Sequence, residues 1–259
     1  MIRALALLAL ACFILLPLAQ AVILSFTATL PRPNVAEGAI GLMNYRAVLA
    51  APELRAAMVN SAVYVLLNVA LCIAVALPAA YALARFRFTG DRHFLLAILV
   101  FRVTPPVVLS LPIFILFARI GLVNSPVGIA LVHCLFNLPV AIWILESFIR
   151  AVPPEFDETA FLDGHSAPGF FLRHLIPQIA PGIGVAAFFC FIFSWVEVVF
   201  ARILTVTGGK PITMAIQAMF GFQTDIGMVM AMTCLSLLPG MAMIWFVRHH
   251  LARGFSLRA

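Results

Sequence analysis

Apolar residues dominate this chain in six long runs, at about residues 4–26, 58–84, 94–118, 125–148, 181–204 and 227–247. Each run is near or above the roughly 20 residues a helix needs to cross the ~30 Å hydrocarbon core of a bilayer. The alternation expected of membrane β-barrel strands is absent. The pattern predicts an all-α fold: a polytopic transmembrane helical bundle with six spans, one transmembrane domain over residues 1–259. Little chain remains for a separate soluble domain.

One stretch breaks the pattern. "PPEFDETAFLDGHSAPGFFLRHLIPQIAP" (153–181) brings four acidic residues, an arginine and two histidines together between two apolar runs. Pro153 and Pro154 stop one helix and open another, because proline is tolerated in a first turn whose N–H groups have no helical partner. Glu155, Asp157 and Glu158 then suit the positive end of the helix dipole. The helix is predicted to run to about Asp163, and Gly164 can take the left-handed conformation that ends it. Ser166 is placed to cap a second helix with Pro168 in its first turn, and Pro177 and Pro181 to end that helix. The expectation is a helix-turn-helix outside the membrane, apolar on one side through Phe156, Ala160, Phe161, Phe170, Phe171, Leu172 and Leu175. Such a segment either lies among lipid headgroups or docks into a partner. Its acidic first half favours docking, since surface-seeking helices are commonly basic.

Composition agrees with a bilayer: 64% of residues are hydrophobic and 10% charged, with a mean hydropathy of +1.13. The net charge of +6 is not a nucleic-acid footprint, because the basic residues are scattered at span ends. With a cytoplasmic N-terminus, the inside carries Arg3, Arg85, Arg87, Arg92, Arg150, Arg173, Arg248, Arg253 and Arg258; the outside carries Arg32, Arg46, Arg55 and Lys210. That asymmetry places both termini in the cytoplasm. Arg3, the first apolar run and Ala19-Gln20-Ala21 resemble a signal peptide, but the run continues through Val22–Phe26. It is expected to be an uncleaved span. Cys12, Cys72, Cys134, Cys190 and Cys234 each fall inside a span without CxxC spacing, and read as small apolar residues, with no metal site.

Charged side chains at bilayer depth are costly and mark function or internal pairing. Three stand out: Arg102, Glu146 and Glu197. Glu146, near a span end, reads as structural. Arg102 pairs across the bundle or stabilises the fold. Glu197 either lies on a transport pathway or pairs with Arg202 or another span. Pro78, Pro105, Pro106, Pro112, Pro139 and Pro239 also lie inside spans, where neighbouring helices or water can satisfy the freed carbonyls. No catalytic residue set emerges. The six histidines fall mostly at span ends or in loops, and the lone lysine, in "GGKPI", has Leu204 where a phosphate-binding loop needs its first glycine.

Glu158-Thr159-Ala160, Asp163-Gly164, Phe171, Pro177 and Pro181 stand at the spacing of the EAA loop of ABC importer permeases, with Thr159 in place of an alanine and His165 in place of a small residue. The resemblance extends over nearly the whole chain. "GLMNYRAVL" (41–49) and "LPAAYALARFRFTG" (77–90) are similar to the family's outside segment and second span. "LPIFILFARIGLVNSP" (111–126), "FNLPVAIWILESF" (136–148) and "FSWVEVVFARILT" (193–205) resemble the carbohydrate and polyol branch, as does the tail "VRHHLARGFSLRA".

This resemblance implies a subunit of a bacterial inner-membrane importer that forms half of the pathway for a sugar or polyol. Its implied partners are a second permease subunit, two ATPase subunits, an external substrate-binding protein and the surrounding membrane lipid. ATP and Mg would bind the ATPases, and this chain would hold no cofactor. Glu158, Thr159, Ala160, Asp163, Gly164, Phe171 and Pro177 would form the ATPase-coupling surface, with Glu158 pairing with a basic residue of the ATPase. Asn137, Trp195 and Glu197 are the candidate substrate-pathway residues. The rival is a secondary transporter, or another polytopic protein without an ATPase; it would need ion-coupling residues near the midplane and would leave the EAA spacing without a reason. The importer reading requires that the purified chain hydrolyse no ATP, measured as phosphate release with contaminating ATPases excluded.

Overall fold

The structure, a computed structural model, describes residues 2–31, 35–87, 90–221 and 224–256. Arg32, Arg258 and the end of the basic tail lie outside the described residues. In chain order the helices are α1 (Ile2–Ser25), α2 (Met43–Ala50), α3 (Pro52–Arg85), α4 (Asp91–Val103), α5 (Pro106–Arg119), α6 (Pro126–Arg150), α7 (Pro154–Leu162), α8 (Ala167–Phe170), α9 (Ile176–Gln178), α10 (Ala180–Trp195), α11 (Val199–Leu204), α12 (Ile212–Ala218) and α13 (Ile226–Ser256). A π-helical turn, Phe171–Leu175, joins α8 to α9. The fold is an all-helical membrane bundle. Helices α1, α3, α6 and α13 contain stretches long and apolar enough to cross a bilayer, and residues 167–178 with 180–195 form a further, bent candidate.

Two expected spans are interrupted. The run at 94–118 divides at Thr104 and Pro105, between α4 and α5. Pro105 offers no N–H to the ladder and, itself followed by Pro106, is turned out to ψ 127°; a residue before proline is sterically pushed from the helical region. The single prolines Pro78, Pro112, Pro139 and Pro239 all sit within continuous helices. The run at 181–204 divides at Val196–Val198, between α10 and α11. The segment before α10 is bent from it by 83°. That bend falls at Ile179, between Pro177 inside α9 and Pro181 in the first turn of α10, so neither proline ends the second helix as expected.

The chain forms two compact units, Met1–Asn60 with Lys210–Met241, and Ser61–Gly209 with Ala242–Ala259. In the first, the buried Asn44 amide donates to the carbonyls of Ser25 and Thr27 at 3.0 and 2.8 Å. The Thr29 hydroxyl donates to Asp225 at 3.0 Å, and the same carboxylate caps α13 through the Met228 N–H at 3.1 Å. In the second unit, α6 packs closely against α10. A Cβ at Gly182 would stand 2.5 Å from the Phe148 ring, so glycine permits that approach.

The α7–α9 segment is fastened to α3. Arg85 Nε and Nη2 donate to the two Asp157 oxygens at 2.7 and 3.1 Å, and both side chains are less than a tenth exposed. Asp157 is therefore half of a buried, bidentate ion pair, beyond the dipole role its position suggested. Ala160, Phe170 and Leu175 join Ala80 and Leu83 in one buried cluster. At the turn, the Gly164 N–H reaches Phe161 O at 3.0 Å and the His165 N–H reaches Ala160 O at 3.2 Å, with Gly164 at φ +83°. This is the paired-bond glycine termination of a helix. Ser166 stands at the next N-cap, but its hydroxyl makes no cap bond with the described residues.

Asp157→Ala leaves the buried guanidinium without its counter-ion, at a cost of about 3–5 kcal/mol. Its unfolding midpoint in detergent should fall clearly below the wild type's. Arg85→Leu combined with Asp157→Leu should recover most of that loss, because no buried charge remains unpaired.

Candidate functional site

Two places carry chemistry. The first is the outward side of the α7–α9 segment. Glu155, Glu158, Thr159, Asp163 and Pro177 are exposed, as are the apolar side chains of Leu162 (87%) and Leu172 (68%). The Thr159 hydroxyl turns back to Glu155 O at 2.8 Å. Two other members of the expected coupling set lie on the apolar side, against the bundle. Ala160 is 6% exposed, and Phe171 lies edge-on to Tyr81 with centroids 4.9 Å apart. Both positions hold the segment against the bundle. The outward surface is left acidic and apolar, on a base fixed by the Arg85–Asp157 pair.

The second place is a polar seam within the spans. Asn68, His133, Asn137 and Ser194 are all at most 5% exposed. The Asn137 amide donates to Asn68 Oδ1 at 2.9 Å and to Cys190 O at 3.4 Å, while Asn68 donates to Ala130 O at 3.2 Å. Four residues before Asn137 on α6, His133 Nδ1 meets Ser194 Oγ at 2.5 Å and Nε2 meets Glu197 Oε2 at 3.2 Å. A carboxylate only accepts, so Nε2 carries the proton; in the neutral ring Nδ1 then accepts from the serine hydroxyl. Glu197 also takes the Phe200 N–H at 2.8 Å and the Ala201 N–H at 3.1 Å. It thereby satisfies the first turn of α11 where the span is broken, as buried helix ends require. Beside this break lies a small cavity of about 40 Å³, lined in part by Arg102, His133, Asn137, Phe193 and Glu197.

The seam unites two of the three expected pathway residues, Asn137 and Glu197. Trp195 is not among the residues lining the cavity; its indole stacks on Phe191 at 5.5 Å and 10°. Glu197 pairs with α6 through His133. Arg102 crosses to α10, its guanidinium 4.4 Å from the Phe193 ring centre. Glu146 is buried and pairs with Arg150, one turn on, which also donates to Leu83 O at 3.0 Å. The sequence reading missed His133, Ser194 and Asn68. The available signal was position: His133 lies mid-run, at a depth where ionisable side chains need a partner. Cys72 and Cys134 bring their sulfurs to 3.3 Å as free thiols beside the seam. Among the described residues no cluster of three or more His, Cys, Asp or Glu could hold a metal.

Residues 72–254 match the family model of the binding-protein-dependent transport system inner membrane component. The chain belongs to that family. It is an ABC importer permease, a non-catalytic membrane component of an ABC transporter complex, and a multi-pass membrane protein; ATP hydrolysis resides on partner subunits. The permease is 35% identical over 204 residues to a protein of Sinorhizobium fredii described as a probable ABC transporter permease, covering 77% of this chain and 72% of that one. It is 31% identical over 181 residues to the trehalose transport system permease SugB of Mycobacterium tuberculosis, covering 70% and 66%. Its fold matches the crystal structure of a bacterial ABC transporter involved in import of the acidic polysaccharide alginate, at a TM-score of 0.77 and 19% identity, covering 96% and 94% of the two chains.

The seam assigns Glu197 a definite mechanical part in the permease. Glu197→Ala removes two helix-capping bonds and the His133 contact, each bond being worth about 1–3 kcal/mol where a charged acceptor is involved. Amide hydrogen exchange at Phe200 and Ala201 should accelerate by roughly tenfold or more, while exchange in α7 stays at the wild-type rate.

Proposed function

We propose that this permease forms half of the transmembrane pathway for a sugar or polyol, and that residues 153–181 receive the ATPase. The whole chain, residues 1–259, acts as one transmembrane domain in this reading. Its six spans are α1, α3, α4 with α5, α6, α10 with α11, and α13, with both termini in the cytoplasm. A second permease subunit completes the pathway, two ATPase subunits bind beneath, and an external binding protein delivers the cargo. Similarity to permeases named for trehalose, diacetylchitobiose and sulfoquinovosyl glycerol uptake supports a carbohydrate cargo.

The observation that carries the coupling role is the two-sidedness of α7. Its inner side is locked by Asp157 and Ala160, while Glu158 and Leu162 are exposed. A lever needs this arrangement. Moving a two-state equilibrium from 1:99 to 99:1 takes about 5.5 kcal/mol of differential binding, and a loosely held segment would dissipate that bias. Glu158 supplies the central contact to a basic residue of the ATPase, bordered by Thr159 and Asp163. Gly164 sets the turn, Ala160 and Phe171 hold the base, and Pro177 precedes the bend. In the membrane, Asn137 and Glu197 border the pathway at the broken span. Trp195, one residue before the break, is assigned to its flank.

Glu158→Lys reverses a charge on the exposed side without touching the Arg85–Asp157 pair. It should release the ATPase or uncouple it, read by co-purification of the ATPase together with ATP-driven uptake. Gly164→Val should abolish uptake while the chain still inserts, since a non-glycine residue in the left-handed region costs roughly 1–2 kcal/mol and redirects α8. Unchanged association and unchanged uptake in both variants would leave the segment as a helix among lipid headgroups.

A further inference from the structure

We infer that the cavity beside the broken fifth span receives an acidic substituent of the cargo, a carboxylate or a sulfur oxyanion, on the guanidinium of Arg102. This inference rests on the reading of that cavity as part of a carbohydrate pathway and narrows its substrate class.

The argument is an accounting of which polar groups in the cavity are already committed. The Asn137 amide hydrogens go to Asn68 and to the Cys190 carbonyl. Both His133 nitrogens are engaged, one by Ser194 and one by Glu197. The Glu197 carboxylate accepts from His133 and from two backbone N–H groups at the start of α11. Its charge is thus met by three donors and by the positive end of a helix. Arg102 differs from all of these. Its guanidinium lies over the face of Phe193, and it belongs to none of the ion pairs found among the described residues. A contact of the cation with an aromatic face uses none of the guanidinium N–H donors as hydrogen bonds to a polar acceptor.

Neither neighbour neutralises that charge. An aromatic face attracts a cation through its quadrupole but carries no net charge. The C-terminal end of α4, where Arg102 occupies the last turn, offers partial negative charge from carbonyls that the Pro105 break leaves outside the helical ladder. The arginine is therefore steadied in place but joins no ion pair among the described residues, Glu197 on the same lining being held by His133 and α11, at a depth where an unpaired charge is costly. An oxyanion with two oxygens fits the edge of a guanidinium in a bidentate pair. A neutral hydroxyl-only ligand would supply a single dipole there and leave the charge unmet. The cavity is small, about 40 Å³, so it takes the charged substituent and not the sugar ring that bears it.

The test uses the complete importer, this permease with its second permease, ATPases and binding protein, in proteoliposomes loaded with ATP. Labelled glucuronate and galacturonate, free and as disaccharides, are compared with glucose, galactose and trehalose. ATP-dependent uptake of an acidic sugar is expected to exceed that of its neutral counterpart. Arg102→Gln should lower acidic-sugar uptake roughly tenfold or more at equal amounts of assembled importer, the scale on which losing one partner of a charge pair is felt. Arg102→Lys keeps the charge but loses the planar fork, and should raise KM for the acidic sugar while kcat changes less. Uptake restricted to neutral sugars and unaltered by Arg102→Gln would overturn the acidic assignment and leave the carbohydrate pathway standing. Uptake of none of these sugars by the wild type would overturn the carbohydrate reading, and this inference with it. If Arg102→Gln instead detaches the second permease, the arginine belongs to a subunit contact and the inference is wrong.

Discussion

A polar group inside hydrocarbon must find its partner within the protein, because lipid offers none. The second unit is organised by that requirement, and α6 is where it is concentrated. His133, Asn137 and Glu146 lie along this helix, and each is answered by a group on α3, α10, the break before α11 or α6 itself. Apolar packing alone would let these helices slide or rotate against one another, since lipid tails are as apolar as leucine. Hydrogen bonds from Asn137 to both Asn68 and Cys190 fix α3 and α10 to one face of α6 at one height. The thiols of Cys72 and Cys134 fill the space beside them without adding a demanding donor.

The same requirement explains how the apolar run at 181–204 can be broken. Breaking a helix in a membrane strands N–H and C=O groups that water cannot reach. At the α10–α11 break, Glu197 takes the stranded N–H groups of Phe200 and Ala201, and His133 holds the carboxylate in position. The break is thus a built feature with its own internal support. Outside the spans the logic is different. At α7 the base is secured by one bidentate ion pair and a cluster of aromatic rings around Tyr81 and Phe170, leaving the acidic outer side exposed at Glu155, Glu158 and Asp163.

Much of this was legible in the residues. Period and length located the apolar elements because burial in lipid imposes a simple, one-dimensional rule. Proline, acid and glycine located α7 and its turn because capping is local, and Gly164 adopts the conformation assigned to it. What escaped was set by contacts between residues far apart in the chain. Asp157 and Arg85 are separated by 72 positions, and nothing near either one marks the pair. Ala160 and Phe171 belong to the spaced motif, yet the motif does not say which members face the base. His133 carries no formal charge, and its partners Ser194 and Glu197 lie 61 and 64 positions away. The break at Pro105 and Pro106 was visible as a doublet, but single prolines elsewhere are absorbed into intact helices.

The π-helical turn at Phe171–Leu175 has a consequence of another kind. A π turn inside a helix holds one residue more than the α geometry on either side of it. That surplus shifts the side chains after the turn out of α register, by about 100° around the helix axis. Ile176, which packs against the buried cluster of Phe170 and Leu175, is thereby presented in a register that an unbroken α-helix from Ala167 would not give.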